Sequence, residues 1–183
     1  EMGGSEHEPF KSGSRLRAVL HVGAEDARSF LGWHDSQLDE DCQALLAEDG
    51  KTRCLPGGSM ELRYADASCQ HLVAVRPYAC SKPSKYVVGL TEAAAAACYD
   101  QSGYSEYKVG ASKGAAAKTY LPAGDGTCAE SDVLEQFEVT PEPVTSFVEM
   151  TLTDEPHGDS VAPWVYVGAD GSRKATGTAR ITA

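Results

Sequence analysis

Apolar and polar residues alternate with a period of two along much of this chain, the pattern of half-buried strands. In 15–22, Leu16, Ala18, Leu20 and Val22 fall on one side. After the turn Gly23-Ala24-Glu25-Asp26, Arg28–Asp35 returns as a second strand. Met60, Leu62 and Tyr64 alternate in the same way, and Leu72–Val75, Tyr86–Leu90, 104–109, 119–121 and 136–139 add short strands. Pro77 ends pairing or marks an edge, and Pro141 and Pro143 forbid regular pairing after Val139. The longest alternating run is 145–153, with Phe147, Glu149, Thr151 and Thr153 on one side and Val148, Met150 and Leu152 on the other.

Between Asp41 and Pro56 the pattern predicts a β-hairpin. Asp49-Gly50 supplies a type I′ turn, and Cys42 and Cys54 stand on opposite arms, within reach of a cross-hairpin disulfide. One stretch breaks the strand rhythm. Thr91 caps, Glu92 occupies the first turn and five alanines lead to Cys98, which predicts a short helix over 92–98. Residues 115–118 read as a helical turn or a loop, and Gly124-Asp125-Gly126 as a turn. The expected fold is all-β, mainly antiparallel hairpins in a sandwich or barrel. Residues 1–13, rich in Gly, Ser, Glu and Pro, read as a disordered tether, and 14–183 as a single β-rich domain.

An internal likeness joins the two ends. Ser14 to Arg28 aligns with Asp159 to Arg173: Val22-Gly23-Ala24 matches Val167-Gly168-Ala169, Arg28 matches Arg173 and Gly32 matches Gly177. The alignment predicts related hairpins at 14–35 and 159–180. They belong either to a repeat array or to a closed all-β domain with two equivalent hairpins; chance likeness of two Gly-Asp hairpins is the third reading.

Charge narrows the partners. With 27 acidic and 16 basic residues the chain carries −11. Phosphate binding needs a basic patch, and none is visible, so nucleic acid is excluded. No apolar run is long enough for a transmembrane helix. The first residues show no leader pattern, so an exported chain would be read here in its mature or a trimmed form.

Cysteine usage sets the compartment. The six cysteines, Cys42, Cys54, Cys69, Cys80, Cys98 and Cys128, are even in number and lack CxxC or zinc-finger spacing. They read as a disulfide framework of an oxidising compartment. The sequential pairing Cys42–Cys54, Cys69–Cys80, Cys98–Cys128 closes the shortest loops; other pairings stay open. There is no Asn, hence no N-glycosylation acceptor.

Several residue groups have the right chemistry for a site. Gly110-Ala111-Ser112-Lys113-Gly114 satisfies the G-x-S-x-G spacing of a nucleophile elbow, and Asp132 and His157 follow in hydrolase order. The near absence of crossover helices argues against the parallel sheet that such an elbow needs. Asp35, Asp39, Glu40 and Asp41 could offer oxygen ligands to Ca²⁺ without matching a calcium-loop spacing. Asp154, Glu155, His157 and Asp159 form a similar group. His34-Asp35 could ligate a metal, but neighbours on a strand point to opposite faces. Among the aromatics, Tyr99, Tyr104 and Tyr107 beside Gly103 are the best candidates for a ligand platform. No cofactor motif is present.

The succession Gly13-Ser14-Arg15-Leu16, Gly32-Trp33-His34-Asp35, Glu40-Asp41-Cys42, Glu48-Asp49-Gly50, Arg53-Cys54-Leu55-Pro56 and Tyr64-Ala65-Asp66-Ala67-Ser68-Cys69 resembles a module of secreted or surface proteins of myxobacteria and related bacteria. Tyr107-Lys108-Val109-Gly110, Phe137-Glu138-Val139 and Ser146-Phe147-Val148 are similar to its downstream half. The alanine run at 93–97 departs from it. The resemblance implies an extracellular or envelope location, often through a lipid anchor, and no catalytic residue.

Together these features predict a non-enzymatic extracellular or cell-surface module that binds a protein or glycan, or associates with itself. The alternatives are a small secreted serine hydrolase using Ser112 and a calcium-stabilised binding module.

Overall fold

The computed structural model describes residues 9–78, 83–90, 103–155 and 161–181. The strands are β1 (Phe10–Lys11), β2 (Leu16–Val22), β3 (Arg28–Asp35), β4 (Glu40–Leu46), β5 (Thr52–Leu55), β6 (Glu61–Tyr64), β7 (Leu72–Val75) and β8 (Tyr86–Leu90). They continue as β9 (Tyr104–Ser112), β10 (Ala117–Pro122), β11 (Cys128–Leu134), β12 (Gln136–Glu142), β13 (Met150–Asp154), β14 (Val161–Gly168) and β15 (Arg173–Ile181). Short 3₁₀ turns occupy Ala24–Asp26 and Val144–Ser146. The all-β, disulfide-stapled fold expected from the alternation is what forms. The helix expected over 92–98 lies outside the described residues.

The chain groups into two compact units, 1–44 with 51–54 and 147–183, and 45–50 with 55–146. The first unit holds two four-stranded sheets, ordered β1-β15-β14-β13 and β2-β3-β4-β5. Leu16, Trp33, Cys42 and Cys54 from one sheet meet Met150 of the other and Val148 in a buried cluster, with Ala18, Phe30, Ala44 and Tyr166 packed against it. Each large apolar side chain so buried contributes roughly 1.5–3 kcal/mol. Phe30 stands edge-on to Trp33 at 4.9 Å between ring centroids, and Lys174 lies 4.6 Å over the Phe30 ring. A bulge between Val19 and Leu20 leaves Leu31 out of the ladder and 65 % exposed.

The two hairpins that align in sequence fall one in each sheet, β2–β3 and β14–β15. Their turns close alike: the Gly23 N–H donates to the Ala27 carbonyl at 2.7 Å and the Gly168 N–H to the Ser172 carbonyl at 2.9 Å. Phe10 and Lys11, inside the stretch read as a tether, pair with Lys174 and Arg173. Order therefore reaches further toward the N-terminus than composition suggested.

The second unit is built on a seven-stranded antiparallel sheet, ordered β11-β10-β6-β7-β12-β9-β8. Met60, Ala74, Val87 and Phe137 form its buried cluster, and Leu62, Tyr107, Val109 and Val139 pack on the same cluster.

Four local expectations change. The β4–β5 turn is not type I′: only Gly50 has a positive φ, +75°, and its N–H donates to the Ala47 carbonyl. That is a tight turn with Gly in the left-handed position that follows it. Residues 117–118, read as helix or loop, begin β10. Pro141 does pair, opposite Tyr107. It is tolerated because β7 accompanies β12 only at Gln136 and Phe137, so the missing N–H meets no partner strand. The run 145–153 becomes a 3₁₀ turn followed by β13, and the adjacent Phe147 and Val148 are both buried, against strict alternation.

Two disulfides are formed, Cys42–Cys54 and Cys69–Cys128. The first is the expected hairpin bridge. The second corrects the expected Cys69–Cys80 and Cys98–Cys128. Cys128 opens β11 and sits beside the turn after β6, because β10 pairs with both β6 and β11. Nearness in sequence was the wrong measure of nearness in the sheet. Cys80 and Cys98 lie outside the described residues.

Candidate functional site

Ser112 ends β9, paired with Phe137 of β12. Its hydroxyl donates to Glu135 Oε1 at 3.0 Å and accepts the Gly114 N–H at 3.2 Å. Glu135 in turn pairs with Arg76 at 2.6 Å. A turn and then β10 follow Ser112, not a helix, so the strained strand-to-helix elbow that exposes a nucleophile is not formed. The hydroxyl closes an exposed polar network instead. Asp132 lies on β11, and its carbonyl accepts the Thr119 hydroxyl at 2.7 Å. His157 lies outside the described residues.

The acidic group separates. Asp35 is fully buried and chelated by Arg15, with both oxygens 2.9 Å from Nε and Oδ2 2.7 Å from Nη2. It also accepts the N–H groups of Gln37 and Leu38. These bonds occupy its lone pairs and stitch β3 to the turn before β4. Asp41 pairs with His34 Nδ1 at 2.9 Å, and Asp39 lies 3.7 Å from Nε2 on the other side of the ring. His34 and Asp35 thus face different partners, as adjacent strand residues should. Glu40 pairs opposite Asp35 in the ladder. In the second acidic group, Glu155 is held by Arg173; Asp154 ends β13, and His157 and Asp159 are outside the described residues. Among the described residues no three His, Cys, Asp or Glu side chains converge as a metal site.

Tyr104 and Tyr107 are three positions apart on one regular strand and so face opposite sides of the sheet. Tyr107 packs in the second unit's core, and burial, with Glu48 and Tyr64 nearby, raises its phenol above the ordinary value. Tyr104 anchors the hairpin tip: its carbonyl accepts the Glu48 N–H at 3.0 Å. The two do not form one platform, and Tyr99 lies outside the described residues.

What the structure does assemble is a sheet edge. Among the described residues β13 ends its sheet, pairing only with β14. Its apolar side chains continue the core outward: Met150 is 2 % exposed, whereas Leu152, opposite Tyr166, is 44 % exposed, and Trp164, opposite Asp154, is 39 % exposed. The alternation placed Leu152 correctly on the face of Met150. The strand order shows that this face reaches solvent at an edge of the described sheet.

A second feature carries no motif. Glu106, in the middle of β9, is 2 % exposed, and neither carboxyl oxygen has a hydrogen-bond partner among the described residues. In sequence it sits in a polar-looking run, Ser105-Glu106, with nothing to mark it as buried.

No family model, no curated protein and no solved structure matches this chain.

Proposed function

We propose that this chain is a non-enzymatic extracellular or cell-surface module for binding or assembly, and that its contact surface is the β13 edge with the Leu152, Tyr166 and Trp164 stripe. The observation that carries the reading is the coincidence of that edge with partly exposed apolar side chains on the same strand pair. A strand with a ladder neighbour on one side only, as β13 is among the described residues, offers backbone donors and acceptors to an added strand, and the stripe supplies apolar contact beside them. The two disulfides support an oxidising compartment, as does the resemblance to secreted and surface proteins.

Sedimentation velocity over a concentration series tests the surface. Wild type is expected to form higher-mass species that Leu152→Asp abolishes while circular dichroism stays unchanged. A chain that remains monomeric at the highest attainable concentration overturns self-association. Retention of assembly in Leu152→Asp overturns the assignment to β13.

A further inference from the structure

Among the described residues Glu106 lies one strand in from the edge of the seven-stranded sheet. It is directly opposite Val88 on the edge strand β8 and directly opposite Glu142 on β12. Glu142 is itself tied, accepting the Ser146 hydroxyl at 2.9 Å. Register places Tyr104 and Lys108 on the same face of β9, Tyr86 and Leu90 on β8, and Thr140 on β12. Lys108 is exposed, and no cation among the described residues pairs with Glu106. A buried carboxylate with no partner and a second carboxylate across the strand is strongly disfavoured, so something must neutralise it. Because no three ligating side chains converge here among the described residues, a proton fits better than a cation.

We propose that Glu106 is a proton latch, holding the edge strand β8 on β9 only while its carboxyl is neutral. The strand released is β8 because it is five residues long and, among the described residues, has β9 as its one ladder neighbour, whereas β12 pairs with β7 as well as β9.

Burial, with the Glu142 carboxylate opposite, pushes the Glu106 carboxyl from its ordinary 4.5 up to about 9. The sign of the linkage follows. The closed sheet keeps a proton that the open form releases above its ordinary value. This contribution to closure is fully present below about 4.5 and is lost as pH rises toward about 9. Across that window one bound proton changes the opening constant about tenfold per pH unit.

Hydrogen exchange of the intact, oxidised chain tests the latch, with intrinsic rates divided out. Between pH 5 and 8, protection at 86–90 and 104–108 is expected to fall about tenfold per pH unit in wild type and to stay level in Glu106→Gln. Should Glu106→Gln not fold, Glu142→Gln keeps the latch and removes the opposing charge, so the loss of protection begins at the same pH but must level off at a lower one than in wild type. Protection that does not vary with pH in wild type, or equal slopes in wild type and Glu106→Gln, overturns the proposal. So does restoration of protection by Ca²⁺ at pH 8, which would make the site a cation site.

Discussion

Asp170 accepts the backbone N–H groups of Leu16 at 2.6 Å and Arg15 at 3.0 Å, although 154 and 155 residues separate them in the chain. It sits in the turn of the β14–β15 hairpin and caps the start of β2, so the one hairpin is fastened to the other. Ser14 adds its N–H to the Asp170 carbonyl at 2.9 Å. Burial pushes the Asp170 carboxyl up, but the bonds from Leu16, Ser172 and Arg15 outweigh it and hold the group below the ordinary range.

Asp170→Ala is therefore expected to destabilise the first unit by about 2–3 kcal/mol, since it strands two N–H donors of a charged acceptor. Asp170→Asn keeps one acceptor oxygen and should lose less. With the folded value lowered, the stabilisation is present above the ordinary carboxyl value of 3.8 and is lost as pH falls below it. Urea titrations at neutral pH and in acid check both statements: the gap between wild type and Asp170→Asn should narrow in acid.

The disulfides make a second prediction. Peptide mapping without reductant should join Cys69 to Cys128, not to Cys80. The loops closed differ, with separations of 12 for Cys42–Cys54 and 59 for Cys69–Cys128. Chain entropy then assigns about 3 kcal/mol to the first and about 4 to the second. Double Cys→Ala variants measured by denaturant unfolding test the order. Because Cys42 and Cys54 are core residues, their removal also costs packing, which brings the two totals closer.

Gly103 supplies a third test. A Cβ there would lie 2.8 Å from the Glu48 Cα and 2.9 Å from the Ala47 carbonyl oxygen, both backbone atoms. Only glycine lets the hairpin tip bridge to Tyr104 at the start of β9. Gly103→Ala should cost about 1–3 kcal/mol of overpacking, with the tip losing protection against exchange first.

Much of the fold was legible because strand alternation is local. The β2–β3 hairpin, β6 to β8 and the Cys42–Cys54 bridge each follow from a few neighbouring residues. β11 escaped because it lies at the edge of its sheet and is largely exposed, so its sequence, Cys-Ala-Glu-Ser-Asp-Val-Leu, has little apolar rhythm. The Cys69–Cys128 bridge escaped because it depends on the strand order β11-β10-β6. The site candidates fared differently. Ser112 matched a motif whose meaning depends on the helix that should follow. Tyr104 and Tyr107 are close in sequence but an odd number of residues apart on one strand. Glu106 was invisible because burial of a lone carboxyl is a property of its neighbours on β8 and β12.

The division of the chain has a consequence for biosynthesis. The second unit is complete once residue 146 has been made, while the first still lacks 147–183, which carry β13 to β15. A chain emerging from its N-terminus can therefore close the later-starting unit first. Strands β2 to β5 must wait, with their apolar face uncovered, for the last segment to arrive. Truncations near the C-terminus should thus leave one half foldable and the other, made earliest, exposed to aggregation.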